Sequence, residues 1–279
     1  MSRGTVCLTF DFDAVSLWIA RGQTTPGPVS RGEFGAYAID RILAVLRRHD
    51  VGSTFFVPGH TLETYPAHCE AIAAAGHEIA LHGYAHEPVS TLDRDAELAV
   101  NRRSAELIEK LTGRPPAGHR TPSWDFTGHT VDILSELGVE YDSSLMGTDF
   151  EPYLARSGDR CPADGPYGFG PVSQVVELPV SWTLDDYPHL EFLRTPQSVM
   201  PGLQDAGEMF ARFLRDVRYM ADTVEDGVVT VTLHPQVVGR GARMAALEEF
   251  ITGCLDLGVV FERCADVARR VRPVLLGAR

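Results

Sequence analysis

The sequence predicts an α/β protein whose parallel strands curl into a barrel of seven or eight strands. Three observations predict it. Short apolar runs rich in strand formers alternate with longer runs of helical spacing from residue 6 to residue 262, and such alternation implies a parallel sheet covered by helices. The chain of 279 residues has room for the repeats of one barrel. Acidic and histidine motifs recur at the ends of the apolar runs, where barrel enzymes assemble their active sites.

Taken in order, residues 6–12 form the first strand. Residues 35–49 carry Ile39, Ile42, Leu43 and Leu46 at helical spacing. A second strand spans 53–57. Residues 66–75 form a helix with Pro66 in its first turn and Gly76 just past its end, the expected asymmetry. Strand three spans 78–81. Residues 92–111 form a long amphipathic helix, with Ser90 and Asp93 at capping-box spacing and Gly113 as its stop. A helix over 131–137 ends at Gly138. Strands follow at 139–142 and 175–182, a helix at 206–222, and the most strand-like run of all at 228–233. A helix over 244–257 and a short strand over 259–262 close the series.

Three stretches break this rhythm: 18–32, 146–171 and 185–202, the last holding Tyr187, His189 and Phe192. Loops this long are usually functional or disordered, so they are expected to be walls or lids of the site. No domain boundary and no long-period repeat is visible, and residues 1–279 read as one catalytic domain.

The hydrophobic fraction of 44% and the charged fraction of 23% are those of a globular protein with a core that needs no staples. A net charge of −13 repels phosphate backbones and anionic lipids, which argues against nucleic acid and membranes as partners. No apolar run approaches the ~18 residues that span a bilayer. The five cysteines are odd in number and lack C-x-x-C spacing, which reads as a reduced chain, with Cys7 a buried thiol. The first strand begins almost at once, without a basic segment leading into an apolar one. The expected location is cytoplasmic.

The chemistry is carried by a few side chains. Asp11 and Asp13 lie two apart on a strand and point the same way. Two carboxylates held close repel each other; a cation on one resolves this and leaves the other as a base. In His82-Gly83-Tyr84-Ala85-His86 the intervening Gly83 disfavours a helix, placing both histidines on a loop after strand three. Two histidines and one aspartate give a divalent metal three ligands and leave positions open for water and substrate. Glu87 follows and could orient a ligand histidine. His234 ends the run 228–233, where it is placed to act as a general acid. Arg120 could form a bidentate pair with a carboxylate, and Trp124 could wall the pocket. Trp182, Asp185 and Asp186 close another strand. Each motif taken singly also fits a plain role: aspartates facing water, loop histidines, a hydrogen-bonded core histidine.

Read together, Thr9-Phe10-Asp11-Phe12-Asp13, His82 to His86, Arg120-Thr121-Pro122-Ser123-Trp124, an acidic Trp-containing segment and Leu233-His234-Pro235 resemble, in that order, the polysaccharide deacetylase family (NodB homology domain, carbohydrate esterase family 4). The resemblance runs from Val6 to about Cys264. It implies a distorted, incomplete (β/α) barrel. It implies Asp13, His82 and His86 as metal ligands, Asp11 as catalytic base, Arg120 as the residue orienting it, and His234 as general acid, tuned by Asp185 or Asp186. The implied cofactor is a divalent metal, zinc first.

Many members carry two adjacent aspartates where this chain has Asp11-Phe12-Asp13. That spacing, with His-Gly-Tyr-x-His-Glu, resembles an intracellular branch of tetramers that holds a peptidoglycan-deacetylase-like protein and metal-independent allantoinases. The expectation is a metal-dependent hydrolase of a non-peptide carbon–nitrogen bond, forming a homotetramer and removing an acyl group from an N-acetylated sugar. The alternative is a cyclic ureide or imide hydrolase acting on a small ring. Trp124, Tyr141, Trp182 and Asp186 are expected to contact substrate, with a backbone N–H such as that of Tyr141 at the oxyanion.

Overall fold

In the computed structural model, which describes residues 3–194 and 199–277, alternation within each strand sorts the buried side chains into two layers. Strand β1 (Thr5–Asp11) is buried along its whole length. Val6, Leu8, Phe10 and Phe12 belong to the larger core, shared with helical residues such as Ile39, Ile42, Phe213 and Leu247. Cys7 belongs to a smaller core with Phe56, Ala80, Tyr141, Val176 and Val228. Because successive residues face opposite ways, Thr9, Asp11 and Asp13 continue the inner row.

The remaining strands are β2 (Thr54–Val57), β3 (Glu78–Leu81), β4 (Gly118–His119), β5 (Tyr141–Asp142), β6 (Tyr153–Arg156), β7 (Val172–Glu177), β8 (Phe192–Arg194), β9 (Val199–Pro201), β10 (Val228–Leu233) and β11 (Val260–Phe261). The main sheet runs β10-β1-β2-β3-β4-β5-β7-β6, with β11 beside the start of β1. Its pairings are parallel except β6 with β7. The path of eight strands curls into an incomplete barrel whose edges are β10 and β6. The Val228 N–H donates to Phe150 O across that gap (2.9 Å). β8 and β9 form a separate hairpin.

Around the sheet lie α1 (Ser16–Ala20), α2 (Pro26–Arg48), α3 (Gly59–Thr64), α4 (Pro66–Ala74), α5 (Arg94–Thr112), α6 (Thr130–Glu136), α7 (Asp186–Leu190), α8 (Ala206–Thr223), α9 (Pro235–Val238), α10 (Arg243–Asp256) and α11 (Cys264–Gly277). No helix among the described residues is long and apolar enough to cross a membrane.

The structure departs from expectation in particular places. The stretch 18–32 is largely helical. Pro26 and Pro28 lie in the first turn of α2, where a missing N–H costs nothing. The stretch 146–171 holds β6, and 185–202 holds α7 and the β8–β9 hairpin; residues 195–198 lie outside the described residues. The strand expected over 175–182 ends at Glu177, shortly before Pro179, which cannot donate to a ladder. Asp93, not Ser90, caps α5, accepting the Ala96 N–H at 2.9 Å. The last helix, α11, was not expected. Its Cys264, Ala265, Val267 and Ala268 fill the inner core next to the start of β1, at the end of the barrel opposite Asp11 and Asp13. The neighbouring Cys264 thiol, together with burial, pushes Cys7 well above the usual thiol range, so it is inert.

Candidate active site

Asp13 follows β1, and its backbone is pinned. Its carbonyl accepts Ser16 Oγ (2.6 Å) and Thr61 Oγ1 (2.7 Å), and the next residue, Ala14, takes φ +48°. A left-handed non-glycine residue is strained and persists only where its surroundings hold it. Its side chain stays on the inner row. His82 leaves β3 on the same row and donates from Nδ1 to Arg120 O (2.9 Å). This fixes the tautomer and turns Nε2 towards Asp13, the arrangement metal-ligating histidines use. The turn that follows has Gly83 at φ +63° and His86 at φ +59°. A Cβ at Gly83 would lie 2.9 Å from Glu87 Oε2. Glu87 itself accepts the Tyr84 and Ala85 N–H groups, so it shapes the loop between the two histidines rather than touching either ring.

The result is a buried cluster. Asp13 Oδ1 lies 3.4 Å from His82 Nε2 and 3.8 Å from His86 Nε2. Ligand atoms of all three lie within 4.8 Å of one another. Asp13 Oδ1 and His82 Nε2 are buried and neither has a hydrogen-bond partner among the described residues. Leaving such atoms unpaired costs about 1–3 kcal/mol each, so this donor set fits a divalent cation. Burial would raise Asp13, but the imidazoles of His86, His82 and His234 hold its carboxyl well below the usual range. Burial pushes His86 down to about 4, keeping its lone pair free. At His82 burial lowers and Asp11 and Asp13 raise, and the carboxylates prevail. A cation there competes with a proton, so its affinity falls as the pH is lowered.

Asp11 is held by Arg120, which is fully buried. Arg120 Nη1 donates to Asp11 Oδ1 (2.6 Å) and Thr9 Oγ1 (2.9 Å). Its Nε and Nη2 grip Ser143 O and Oγ (2.9 and 3.1 Å), and its guanidinium lies 4.0 Å from the centre of the Phe56 ring. The expected bidentate pair is therefore absent: the fork is spent on Ser143, and one nitrogen aims the carboxylate.

His234 continues the inner row of β10 after Thr230 and Thr232. Its Nδ1 meets Asp186 Oδ1 at 2.8 Å, and its backbone N–H also donates to Asp186. Asp185 lies farther away, at 3.6 Å, and its segment is brought alongside by a bridge to Thr232. Nε2 of His234 faces the cluster, 4.0 Å from Asp11 Oδ2 and 3.9 Å from Asp13 Oδ2. Burial alone would lower His234, but Asp185 and Asp186 raise it to about 10. Burial pushes Asp185 up to about 7 and raises Asp186. Asp186 is the acid that positions His234; fully buried, it is not a substrate contact.

Trp124 and Trp182 do meet, with ring centres 4.3 Å apart, and Trp182 is 46% exposed. Both line a cavity of about 120 Å³ over Asp11, Asp13 and His234. Tyr141 does not join them. Its ring is buried against Phe56, its hydroxyl donates to Glu78, and its N–H is taken by Ala117 O. It is core rather than oxyanion donor. Gly118 makes room for it, since a Cβ there would lie 1.9 Å from Tyr141 Cζ.

Sequence reasoning missed several residues. Gln236 donates to Asp13 Oδ2 (3.3 Å); its place two residues after His234 was a usable signal. Ser143 carries no local signature, and Arg21 and Tyr187 were marked only as members of the stretches 18–32 and 185–202 expected to wall the site.

The family model for polysaccharide deacetylases matches residues 1–141. The peptidoglycan deacetylase of Helicobacter pylori is 34% identical over 258 residues, which are 86% of this chain and 86% of that protein. A Mycobacterium smegmatis crystal structure, titled as a polysaccharide deacetylase, superposes with a TM-score of 0.84 at 34% identity, covering 98% of this chain and 91% of that one. The allantoinase PuuE superposes with a TM-score of 0.79 at 20% identity, covering 98% and 91%. At that identity the likeness is one of fold.

Proposed function

Because the chain belongs to the polysaccharide deacetylase family, we propose that it hydrolyses the acetamido carbon–nitrogen bond of an N-acetylated sugar, with Asp13, His82 and His86 holding a divalent metal such as zinc. A bound ion supplies Lewis-acid polarisation of the amide carbonyl. Asp11, aimed by Arg120, takes the proton from the attacking water. His234, held by Asp186, delivers a proton to the departing nitrogen. Acetate and a free amine leave. General acid and base catalysis of this kind contribute about 10²–10⁴-fold each.

One observation carries this reading. A base and an acid, each fixed by its own buried partner, face the same cluster from two sides. The small cavity above them suits an acetyl group, and an adjoining recess of about 590 Å³ shares Arg21, His86, Ser123 and Trp124 with it. That second space supports a sugar over a small ring. A substrate panel tests the choice: acetate release from N-acetylglucosamine oligomers is expected, with no opening of allantoin, hydantoin or cyclic imides. Ring opening without acetate release would overturn it.

The pH profile tests His234. The acid must carry its proton, so activity falls as pH rises through its pKa, and the carboxylates raise that value. Asp186→Asn removes one of them and lowers it. The alkaline fall of kcat/KM should therefore begin at lower pH, by about one unit or more. An unmoved alkaline limb would contradict the role.

A further inference from the structure

The wall shared by the two cavities contains one cation that the reaction above does not use. Arg21 lies just past α1 and lines both spaces. Its Nη1 donates to Tyr187 Oη (2.7 Å), and its guanidinium lies 5.4 Å from the Tyr187 ring centre and 5.6 Å from that of Trp18. Trp18 is fully buried, and Tyr187 packs edge-on against His234, ring centres 5.3 Å apart. Arg21 is thus fixed, beside the general acid, where a substrate would pass from the acetyl cavity into the wider recess.

Among the described residues the Arg21 side chain makes this one hydrogen bond and no ion pair; its backbone N–H donates to Leu17 O in the last turn of α1. The chain carries a net charge of −13 and Asp11, Asp13 and Asp185 line the same cavity, yet among the described residues no carboxylate forms an ion pair with this guanidinium. A guanidinium has five donors in a fixed plane that match a carboxylate. Flanking aromatic rings hold it without consuming its charge.

We infer that Arg21 binds a carboxylate of the substrate, so that the preferred N-acetylated unit carries an acidic substituent beside its amide. The inference rests on the amide-hydrolase reading and names the substrate class within it. An amino sugar bearing a carboxylate-ended ether, as in N-acetylmuramic acid, has that chemistry; N-acetylglucosamine lacks it.

The test compares these two sugars on the zinc-loaded full chain, by calorimetric affinity and by acetate release. Wild type should bind the acidic sugar about 10-fold or more tightly than the neutral one, the usual scale for a charge-assisted contact. Arg21→Gln should erase that preference, raising KM for the acidic sugar about 10-fold more than KM for the neutral one. Arg21→Lys should keep part of it. Equal affinity of wild type for both sugars would overturn the inference. So would an equal loss on both in Arg21→Gln, the result expected if Arg21 only props Tyr187. If neither sugar releases acetate, the hydrolase reading fails, and the affinity ratio still decides for or against the carboxylate site.

Discussion

Arg120→Leu is expected to lower kcat by about 10²–10⁴-fold, the share of a positioned base, and to cost about 3–5 kcal/mol of stability. Both effects have one cause. Arg120 and Asp11 are buried, and the leucine would leave the Asp11 carboxylate without the Nη1 contact that aims and neutralises it. The grip on Ser143, and with it a tie between the segments after β4 and β5, would go as well. Arg120→Lys keeps a charge and loses the fork, so it should recover part of the stability and less of the rate. Chemical denaturation and steady-state rates measured on the same samples check this. A leucine variant with near-normal stability and rate would show that Asp11 does not depend on Arg120.

The second large effect is expected at Asp13. Asp13→Ala removes the only anionic member of the cluster and leaves His82 and His86 to hold a cation alone. Loss of Lewis-acid assistance is worth several kcal/mol of barrier, so activity should fall by about 10³-fold or more. Wild type should melt at higher temperature when zinc is added, because a ligand at about 100 times its Kd adds about 2.7 kcal/mol. The alanine variant should show no such shift. A zinc-dependent shift of equal size in both proteins would place the ion elsewhere.

How legible these features were in the sequence depended on whether their cause was local. The inner row of β1 followed from a period of two and needed no tertiary information, so Asp11 and Asp13 could be paired in advance. His234 was legible from its place at the end of the strand-like run 228–233. Gly83 marked the loop between His82 and His86 because a left-handed residue was needed there. Contacts between distant segments were not legible. Arg21 gains its place from Tyr187, 166 residues away, and Ser143 from the fork of Arg120. Tyr141 was misplaced because its inward position on β5 puts its ring deeper than the pocket, under Gly118. Between Asp185 and Asp186 the sequence offers no preference; only the turn into α7 decides which one faces His234. Glycines and prolines misled at 18–32, since the same residues open a helix as readily as they fill a loop.

The proposed reaction depends on Asp13, His82 and His86 holding one catalytic ion. Its most direct test is to strip the protein of metal, titrate it with zinc, and follow bound ion and acetate release from N-acetylglucosamine oligomers together. One ion per chain is expected, with acetate release rising in step with occupancy and both lost in Asp13→Ala. Full-rate acetate release from metal-free protein, or an undiminished ion in Asp13→Ala, would contradict it.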